Sequence, residues 1–337
     1  MTPQPPWTHS DAAPARKPRR LGLYLPYAIA AFLVVAWSCV WLWLAGETQR
    51  RIDGAAATLR AAGWQVAWSE RHIGGYPFRL DVDVANLRLA DPSGWVVAMP
   101  LLKCEAHAFA PTRWLFAAAD GLTFTRPGGG AVAVTGRPIR ASVNSWDQHP
   151  PRISVEGDDL TFATASGAQP FPLTEAASVQ FYTRAGPNDQ AALLFLVQRG
   201  VAATPSRLGA LADGRPVDIT VDAILSHASA LQGRDWRSLV ADWARSGGAF
   251  DVRQFTLAAG GAGIDARSGR VSMATDGRLA GTLPATLTQP SRVRAALAGE
   301  PAPPPAPAEP PLTAPLTFKD GAAWIGRQRL GPAPRAF

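Results

Sequence analysis

The most constraining feature of the sequence is a run of 26 residues, Leu21 to Gly46, that contains no charged side chain. Four basic residues come just before this run, at Arg16, Lys17, Arg19 and Arg20. A helix from Pro26 to Ala45 would be about 30 Å long, which matches the thickness of the hydrocarbon core of a bilayer. The run therefore predicts a transmembrane anchor over residues 21–46.

Aromatic residues near both ends of the run support this assignment, because amphipathic rings favour the two membrane interfaces. The residues that we assign to the anchor and its interfaces are Tyr24, Tyr27, Trp37, Trp41 and Trp43. Because basic flanks stay on the cytoplasmic side, residues 1–20 are expected to lie in the cytoplasm. Their content of Pro, Ala and polar residues, without periodicity, predicts a disordered tail. Everything after Glu47 is then expected to lie on the far side of the membrane.

A cleaved secretory signal peptide is the alternative, because it also begins with basic residues followed by an apolar stretch. Its apolar region is usually about 7–15 residues, which is shorter than this run. The small-x-small cleavage pattern is also missing. If cleavage followed Ala45 or Gly46, the residue two positions before it would be Trp43 or Leu44, and neither is small. These two features favour an uncleaved anchor.

Charge and cysteine content limit the partners and the redox chemistry of the exported part. The chain has a net charge of +7, but beyond residue 46 it holds 29 Lys and Arg against 25 Asp and Glu, a net charge of +4. No basic block with interleaved aromatic residues occurs there, which argues against nucleic acid as a partner. Cys104 is the single cysteine outside the run, so an internal disulfide cannot form.

Alternation of apolar and polar residues dominates residues 47–298. Examples are Leu80, Val82 and Val84, then Leu102, Cys104 and Ala106, then Val217, Ile219 and Val221. This period of two is typical of strands with one buried face. Turn sequences such as Asp91-Pro92-Ser93-Gly94 separate the strands at short intervals, so neighbouring strands have to be antiparallel. We predict a mainly β fold, an extended and curved antiparallel meander with a few short helices.

One short helix stands out in this region. Asp235 is a suitable N-cap, and apolar residues follow at helical spacing. They are Trp236, Leu239, Val240 and Trp243. We expect this helix to pack against a face of the sheet.

The end of the chain is divided by a proline-rich segment. Residues 299–311 read GEPAPPPAPAEPP, which predicts an extended spacer without internal hydrogen bonds. Residues 312–337 are then predicted to form a C-terminal hairpin that returns to the sheet.

Signatures of catalysis and metal binding are missing from the sequence. There is no G-x-S-x-G elbow and no Walker loop, and the histidines have no metal-ligand spacing. We therefore predict no enzymatic activity and no cofactor. The most unusual string outside the membrane run is Gly74-Gly75-Tyr76-Pro77-Phe78-Arg79. A tight structural turn between strands and a ligand-binding turn are both open interpretations of it.

The chain resembles the bacterial domain-of-unknown-function family 2125. The segments that carry the resemblance are the anchor, residues 74–79, residues 243–252, residues 269–281 and the glycine-containing C-terminal strand region 319–331. The resemblance implies an envelope protein of Gram-negative bacteria, with the anchor in the inner membrane and residues 47–298 in the periplasm. It implies no catalytic residues. More loosely, the organisation is similar to AsmA-like periplasmic proteins linked to lipid transport.

Two functional hypotheses without catalysis follow, and a third, a hydrolase acting on envelope substrates, would require carboxylates or histidines that converge in a cleft. In the first, a one-sided sheet exposes an apolar trough that binds or passes lipid or other hydrophobic ligands in envelope maintenance. In the second, the sheet packs on itself and the protein is a structural or assembly factor for other envelope proteins. Membrane lipid is the expected partner in the first case, and envelope proteins are the expected partners in the second.

Overall fold

The computed structural model describes residues 21–146, 148, 150–300, 303–304 and 309–336. The predicted cytoplasmic tail and six of the thirteen residues of the predicted proline-rich spacer lie outside these residues. The described residues form one long N-terminal helix, three short α-helices and an antiparallel sheet. The prediction of a mainly β fold behind an apolar helix is confirmed.

Helix α1 runs without a break from Leu21 to Ala61, and it contains the whole charge-free run. Among the described residues it is the one helix long and apolar enough to span a membrane. Its side chains are exposed from Tyr24 to Val35, and from Ala36 onward one stripe contacts the rest of the protein. The residues of this stripe that are at least half buried include Trp37, Trp41, Ala45, Thr48, Ile52 and Ala56. Their spacing of three and four residues keeps them on one side of the helix.

Nineteen strands form the sheet within the described part of the chain. Strands β1 to β7 are Gln65–Ala67, Glu70–Gly74, Arg79–Ala90, Val96–His107, Trp114–Ala118, Leu122–Arg126 and Gly130–Thr135. Strands β8 to β13 are Ile139–Asn144, Arg152–Thr164, Leu173–Ala185, Gln190–Ala202, Val217–Ser226 and Ala249–Ala259. Strands β14 to β19 are Ala262–Ala266, Arg270–Met273, Leu279–Thr288, Leu312–Lys319, Ala322–Ile325 and Gln328–Pro332.

The strands follow one another as a meander in which some short strands lie end to end. Strands β1 and β2 both pair with β3, which pairs with β4. Between β4 and β9, the pair β5–β8 lies beside one half of the long strands and the pair β6–β7 beside the other half. Strands β9 to β13 then pair in sequence order, and β14 and β15 share the position between β13 and β16. Strands β17, β18 and β19 continue the sheet beyond β16.

The predicted C-terminal hairpin corresponds to β17 and β18, which turn at Asp320 and Gly321. Strand β17 pairs with β16, the strand that precedes it in the sequence. The described part of the connection between them includes helix α4 (Pro290–Ala298), which packs beside β14 and β19. The carboxylate of Glu309 accepts hydrogen bonds from the backbone N–H and the hydroxyl of Ser291, and thereby fixes the end of this connection to α4.

The four α-helices of the described residues pack on the same face of the sheet, which we call the inner face. Helix α1 places Ile52 against Val82 and Cys104. The other three helices are α2 (Arg207–Ala212), α3 (Trp236–Arg245) and α4. Helices α2 and α4 share a buried cluster with strands β12, β14 and β16, and α3 places Trp243 against Leu225. Strand pairing shows that these strand residues lie on one face.

The sheet curls so that strands far apart in its order come together. The turn between β3 and β4 contacts the first turn of α3, because the carboxylate of Asp91 accepts a hydrogen bond from the backbone N–H of Trp236 at 3.0 Å. The indole N–H of Trp64, just after α1, donates to the carbonyl of Arg234. Since α3 packs on β12 and β15, these contacts join the beginning of the sheet to its later half.

Candidate functional site

The string Gly74 to Arg79 forms the turn between β2 and β3, at the end of the sheet where α1 enters the fold. The Tyr76–Pro77 peptide bond is cis. Gly75 has a φ of +93°, and a Cβ on this residue would lie 2.7 Å from the carbonyl oxygen of Arg79. The backbone N–H of Arg79 donates to the carbonyl of Gly75 at 2.8 Å, which closes the turn. Glycine is therefore required at position 75 by both conformation and space.

This turn is attached directly to helix α1. The indole N–H groups of Trp37 and Trp41 donate to the carbonyls of Pro77 (2.9 Å) and Arg79 (2.8 Å). The hydroxyls of Ser38 and Tyr76 are hydrogen-bonded at 2.8 Å. Two of the tryptophans assigned to the membrane anchor, Trp37 and Trp41, thus also hold the turn.

Aromatic contacts extend this attachment to the loop between β4 and β5. The ring of Phe109 stacks on Trp37 with 4.8 Å between centroids, and Phe78 lies 6.4 Å from Phe109. Trp41 and Tyr76 meet edge to face at 5.5 Å. Sequence reasoning missed Phe109, because its loop is remote from the 74–79 string and only the strand register brings the two together. The remaining predicted anchor residues Tyr24, Tyr27 and Trp43 are exposed on α1.

The predicted stripe of α3 is divided between the interior and the surface. Asp235 caps the helix in a reciprocal capping box with Ser238. Val240 and Trp243 are buried, and the indole N–H of Trp243 donates to the carbonyl of Ser226 at 2.8 Å. Leu239 is half-buried. Trp236 is exposed and its indole donates to the carbonyl of Ala336, so it ties the C-terminal segment to α3 rather than entering the sheet face.

A continuous line of apolar side chains crosses the inner face. Residues paired directly across antiparallel strands share a face, so the register identifies one residue on each of eleven strands. We call this set the inner row: Ile73, Val82, Cys104, Phe116, Ala141, Val155, Phe181, Phe195, Val221, Phe255 and Ala266. It contains no charged residue. It begins on β2, which contacts α1, and ends on β14, which contacts α4.

The ends of the inner row are covered, and so is Phe195 in its middle, which packs in a cluster with Leu208 of α2, but four other residues of the middle are not. Val82, Cys104 and Phe116 lie in the cluster beneath α1, and Phe255 and Ala266 lie in the cluster beneath α2 and α4. Ala141, Val155, Phe181 and Val221 are half-buried and belong to none of the buried clusters formed by the described residues. The curled sheet therefore keeps a partly accessible apolar surface between its helices.

The opposite face of the same strands is largely polar. One step along each strand, the register aligns Glu105, Leu115, Ser142, Ser154, Tyr182, Leu194, Asp222 and Gln254. Several of these side chains are hydrogen-bonded on the face itself. Ser142 bonds to Ser154 at 2.8 Å, and the hydroxyl of Tyr182 donates to Glu156. Desolvation and this carboxylate raise the pKa of Tyr182 above its usual value. The inner face thus favours an apolar environment, whereas the opposite face favours water.

Cys104 is the one titratable residue of the inner row. Burial, with a smaller contribution from the charge of Asp83, raises the pKa of the Cys104 thiol to about 12, so it stays protonated near neutral pH. On the described part of the chain, no group of three or more His, Cys, Asp and Glu side chains is arranged to hold a metal ion. An ion pair between α1 and the sheet joins Asp53 to Arg71 at 2.7 Å, and that hydrogen bond lowers the pKa of Asp53.

Comparison with known proteins identifies a family for this chain. No curated protein and no solved structure matches the chain. A family model described as an uncharacterized protein conserved in bacteria (DUF2125) matches residues 41–334. This range holds the turn at 74–79, the whole sheet and helices α2 to α4, and it begins at Trp41, the residue that bonds to Arg79. Because the match covers most of the sequence, the chain belongs to the DUF2125 family of bacterial proteins.

Proposed function

We propose that the protein is anchored in the inner membrane by α1, holds its β domain in the periplasm, and binds or passes lipid acyl chains along the inner row. The observation that carries this proposal is the inner row itself, an uncharged apolar line over eleven strands whose middle is only half-buried. At about 4.8 Å between neighbouring strands, the row measures roughly 48 Å along the sheet. The proposal is one of binding and transfer without catalysis.

An acyl chain suits this surface for a simple energetic reason. Each methylene group that leaves water contributes about 0.8 kcal/mol, and a half-buried apolar surface gains in the same way when a chain covers it. Hydrogen-bonding side chains for a polar ligand are concentrated on the other face. The row also starts beside α1, the helix that enters the bilayer, so a chain bound there would be near its source.

Photo-crosslinking tests the lipid part of the proposal. Phe181→p-benzoylphenylalanine places a photoreactive ring on the inner row, and Tyr182→p-benzoylphenylalanine places it one residue away on the opposite face. After irradiation of the full-length protein in native membranes, mass spectrometry should find lipid adducts at 181 at least tenfold above those at 182. Equal yields at the two positions would overturn lipid binding. Protein adducts at 182 without lipid at 181 would support the assembly-factor alternative instead.

Reporter fusions test the proposed topology separately. Alkaline phosphatase is active only outside the cytoplasm, and green fluorescent protein exported through the Sec pathway does not fluoresce. Fused after Phe337, the phosphatase should be active and the fluorescent protein dark. The reverse result would rule out a periplasmic β domain.

A further inference from the structure

Three exposed aromatic side chains form a small group at the end of the sheet nearest the beginning of α1. We call it the aromatic tip: Tyr76 and Phe78 from the β2–β3 turn and Phe109 from the β4–β5 loop. Their exposed fractions are 51%, 61% and 69%. Trp37 and Ser38 of α1 hold this group through the stacked ring of Phe109 and the hydroxyl of Tyr76.

The position of Trp37 in the charge-free run sets the depth of the aromatic tip. A hydrocarbon core of about 30 Å needs about 20 helical residues. Arg20 and Glu47 bound the run, so a span of that length begins no earlier than residue 21 and ends no later than residue 46. Every such span contains Trp37 and Ser38. Whatever touches these two side chains therefore lies at or within the boundary of the hydrocarbon core.

The direction of the strands agrees with this placement. Two contacts show that helix α1 and strand β3 run side by side. Near the turn, Trp41 bonds to Arg79 at the start of β3. Further along the helix, Asp53 bonds to Arg71 of β2, which pairs with Val84 of β3. From Trp41 to Asp53 the helix rises about 18 Å, and from Arg79 to Val84 the strand rises about 17 Å. The strands beside α1 thus extend along the helix axis, with the tip pointing back along the membrane run.

We infer that the aromatic tip inserts into the outer leaflet of the bilayer that α1 spans, an inference that rests on the anchoring proposed above. Transfer of an exposed phenylalanine ring from water into lipid is favourable, because the ring is then buried. Aromatic rings are also favoured at the boundary between headgroups and acyl chains. The carbonyls of Pro77 and Arg79 remain hydrogen-bonded to the indoles of Trp37 and Trp41, so the backbone enters with these groups satisfied. Insertion places the first strands of the inner row directly at the lipid surface.

Photo-crosslinking at the tip tests this inference in the full-length protein. Phe78→p-benzoylphenylalanine and Phe109→p-benzoylphenylalanine replace exposed rings by a larger ring. Ser166→p-benzoylphenylalanine is the control, because Ser166 is exposed in the β9–β10 turn at the other end of the strands. In liposomes of phosphatidylethanolamine and phosphatidylglycerol, lipid adducts at 78 and 109 should exceed those at 166 at least tenfold. Fragmentation should place the adducts on acyl chains.

Adduct yields at 78 and 109 no greater than at 166 would overturn insertion, as would adducts confined to headgroups. The failure of insertion and the failure of lipid binding give different results. Adducts at 181 without adducts at 78 and 109 would leave the inner row as a lipid site and remove the tip from the membrane. Adducts at 78 and 109 without adducts at 181 would retain the tip and refute transport along the row.

Discussion

The carboxylate of Asp91 accepts a hydrogen bond from the backbone N–H of Trp236, a residue 145 positions further along the chain. Its other oxygen accepts from the backbone N–H of Trp95, and Ser93 donates its hydroxyl to both oxygens. Asp91 is only 8% exposed, and it faces the N-terminus of α3, where a negative charge is favourable. One side chain thus completes the β3–β4 turn and joins it to the helix on the far side of the curl.

Asp91→Asn should lower the free energy of unfolding by about 1–3 kcal/mol, because it replaces one buried acceptor by a donor that faces N–H groups. The thermal midpoint of the full-length protein in detergent measures this loss. Asp120→Asn is the control, since Asp120 is an exposed aspartate in another turn, and its midpoint should not change. Equal midpoints for the two variants would show that the Asp91 contact does not hold the curl.

Trp41→Phe should destabilise the junction between α1 and the turn by about 1–2 kcal/mol, the cost of leaving a part-buried acceptor without its donor. The phenylalanine keeps most of the buried ring but removes the N–H that donates to the carbonyl of Arg79. Trp43→Phe is the matched control, because Trp43 is 62% exposed whereas Trp41 is 8% exposed. Limited proteolysis after the turn should increase for the first variant only. Equal cleavage of both variants would contradict the proposed role of the indole bond.

Gly75→Ala should be more destabilising than Gly128→Ala, although both glycines have positive φ. A left-handed residue with a Cβ costs about 1 kcal/mol at either position. At position 75 the added Cβ would also lie 2.7 Å from the Arg79 carbonyl oxygen, whereas at position 128 it would meet nothing within 4 Å. Thermal midpoints of the two variants measure the difference. A larger loss at position 128 would refute the steric explanation.

Cys104 should be unreactive in the folded protein. Its pKa is raised from 9.0 to about 12, so at pH 9 the thiolate population is smaller by a factor of about 500 than in the unfolded chain. Iodoacetamide labelling at pH 9, followed by mass spectrometry of the peptide that contains Cys104, should be correspondingly slow until denaturant is added. Rapid labelling of the native protein would show that the thiol is accessible.

The same thiol predicts how stability depends on pH. Above pH 9 the unfolded chain loses its thiol proton while the folded protein keeps it, so the free energy of unfolding falls as pH rises from about 9 to about 12. The slope is about 1.4 kcal/mol per pH unit from this one group. Cys104→Ala should remove that contribution, and an unchanged slope in this variant would assign the alkaline loss of stability to other groups.

Local signals in the sequence predicted the elements that depend on local physics. The charge-free run predicted an apolar helix, and alternation at Leu80–Val84 and at Val217–Val221 predicted strands β3 and β12. The N-cap Asp235 and the spacing of Val240 and Trp243 predicted α3. Short turns predicted antiparallel pairing, which the structure shows in the pairs β3–β4 and β10–β11 and in the rest of the sheet.

The features that local signals could not predict depend on register and long-range contacts. The inner row needs the pairing of Phe181 with both Val155 and Phe195, and alternation alone does not say which residues of different strands meet. The contact between Phe109 and Trp37 joins a loop to helix α1, and no sequence pattern connects the two.

Two short helices also lacked a clear signal in the sequence. Helix α2 was missed because it has only six residues. Helix α4 was missed because its apolar stripe is short and its cap, Gln289, is not a usual N-cap residue. Both helices are held by the cluster that they share with the sheet, a contact that depends on the folded chain rather than on their own residues.

Helix α1 continues unbroken from the charge-free run into the fold, and side chains of its second half are built into the packing of the sheet. No linker separates the charge-free part of α1 from the part that supports the strands, so the helix has no hinge between them. A change in the tilt or depth of the helix would move the β domain with it as one piece. If α1 spans a bilayer as proposed, membrane thickness would thereby set the depth of the aromatic tip.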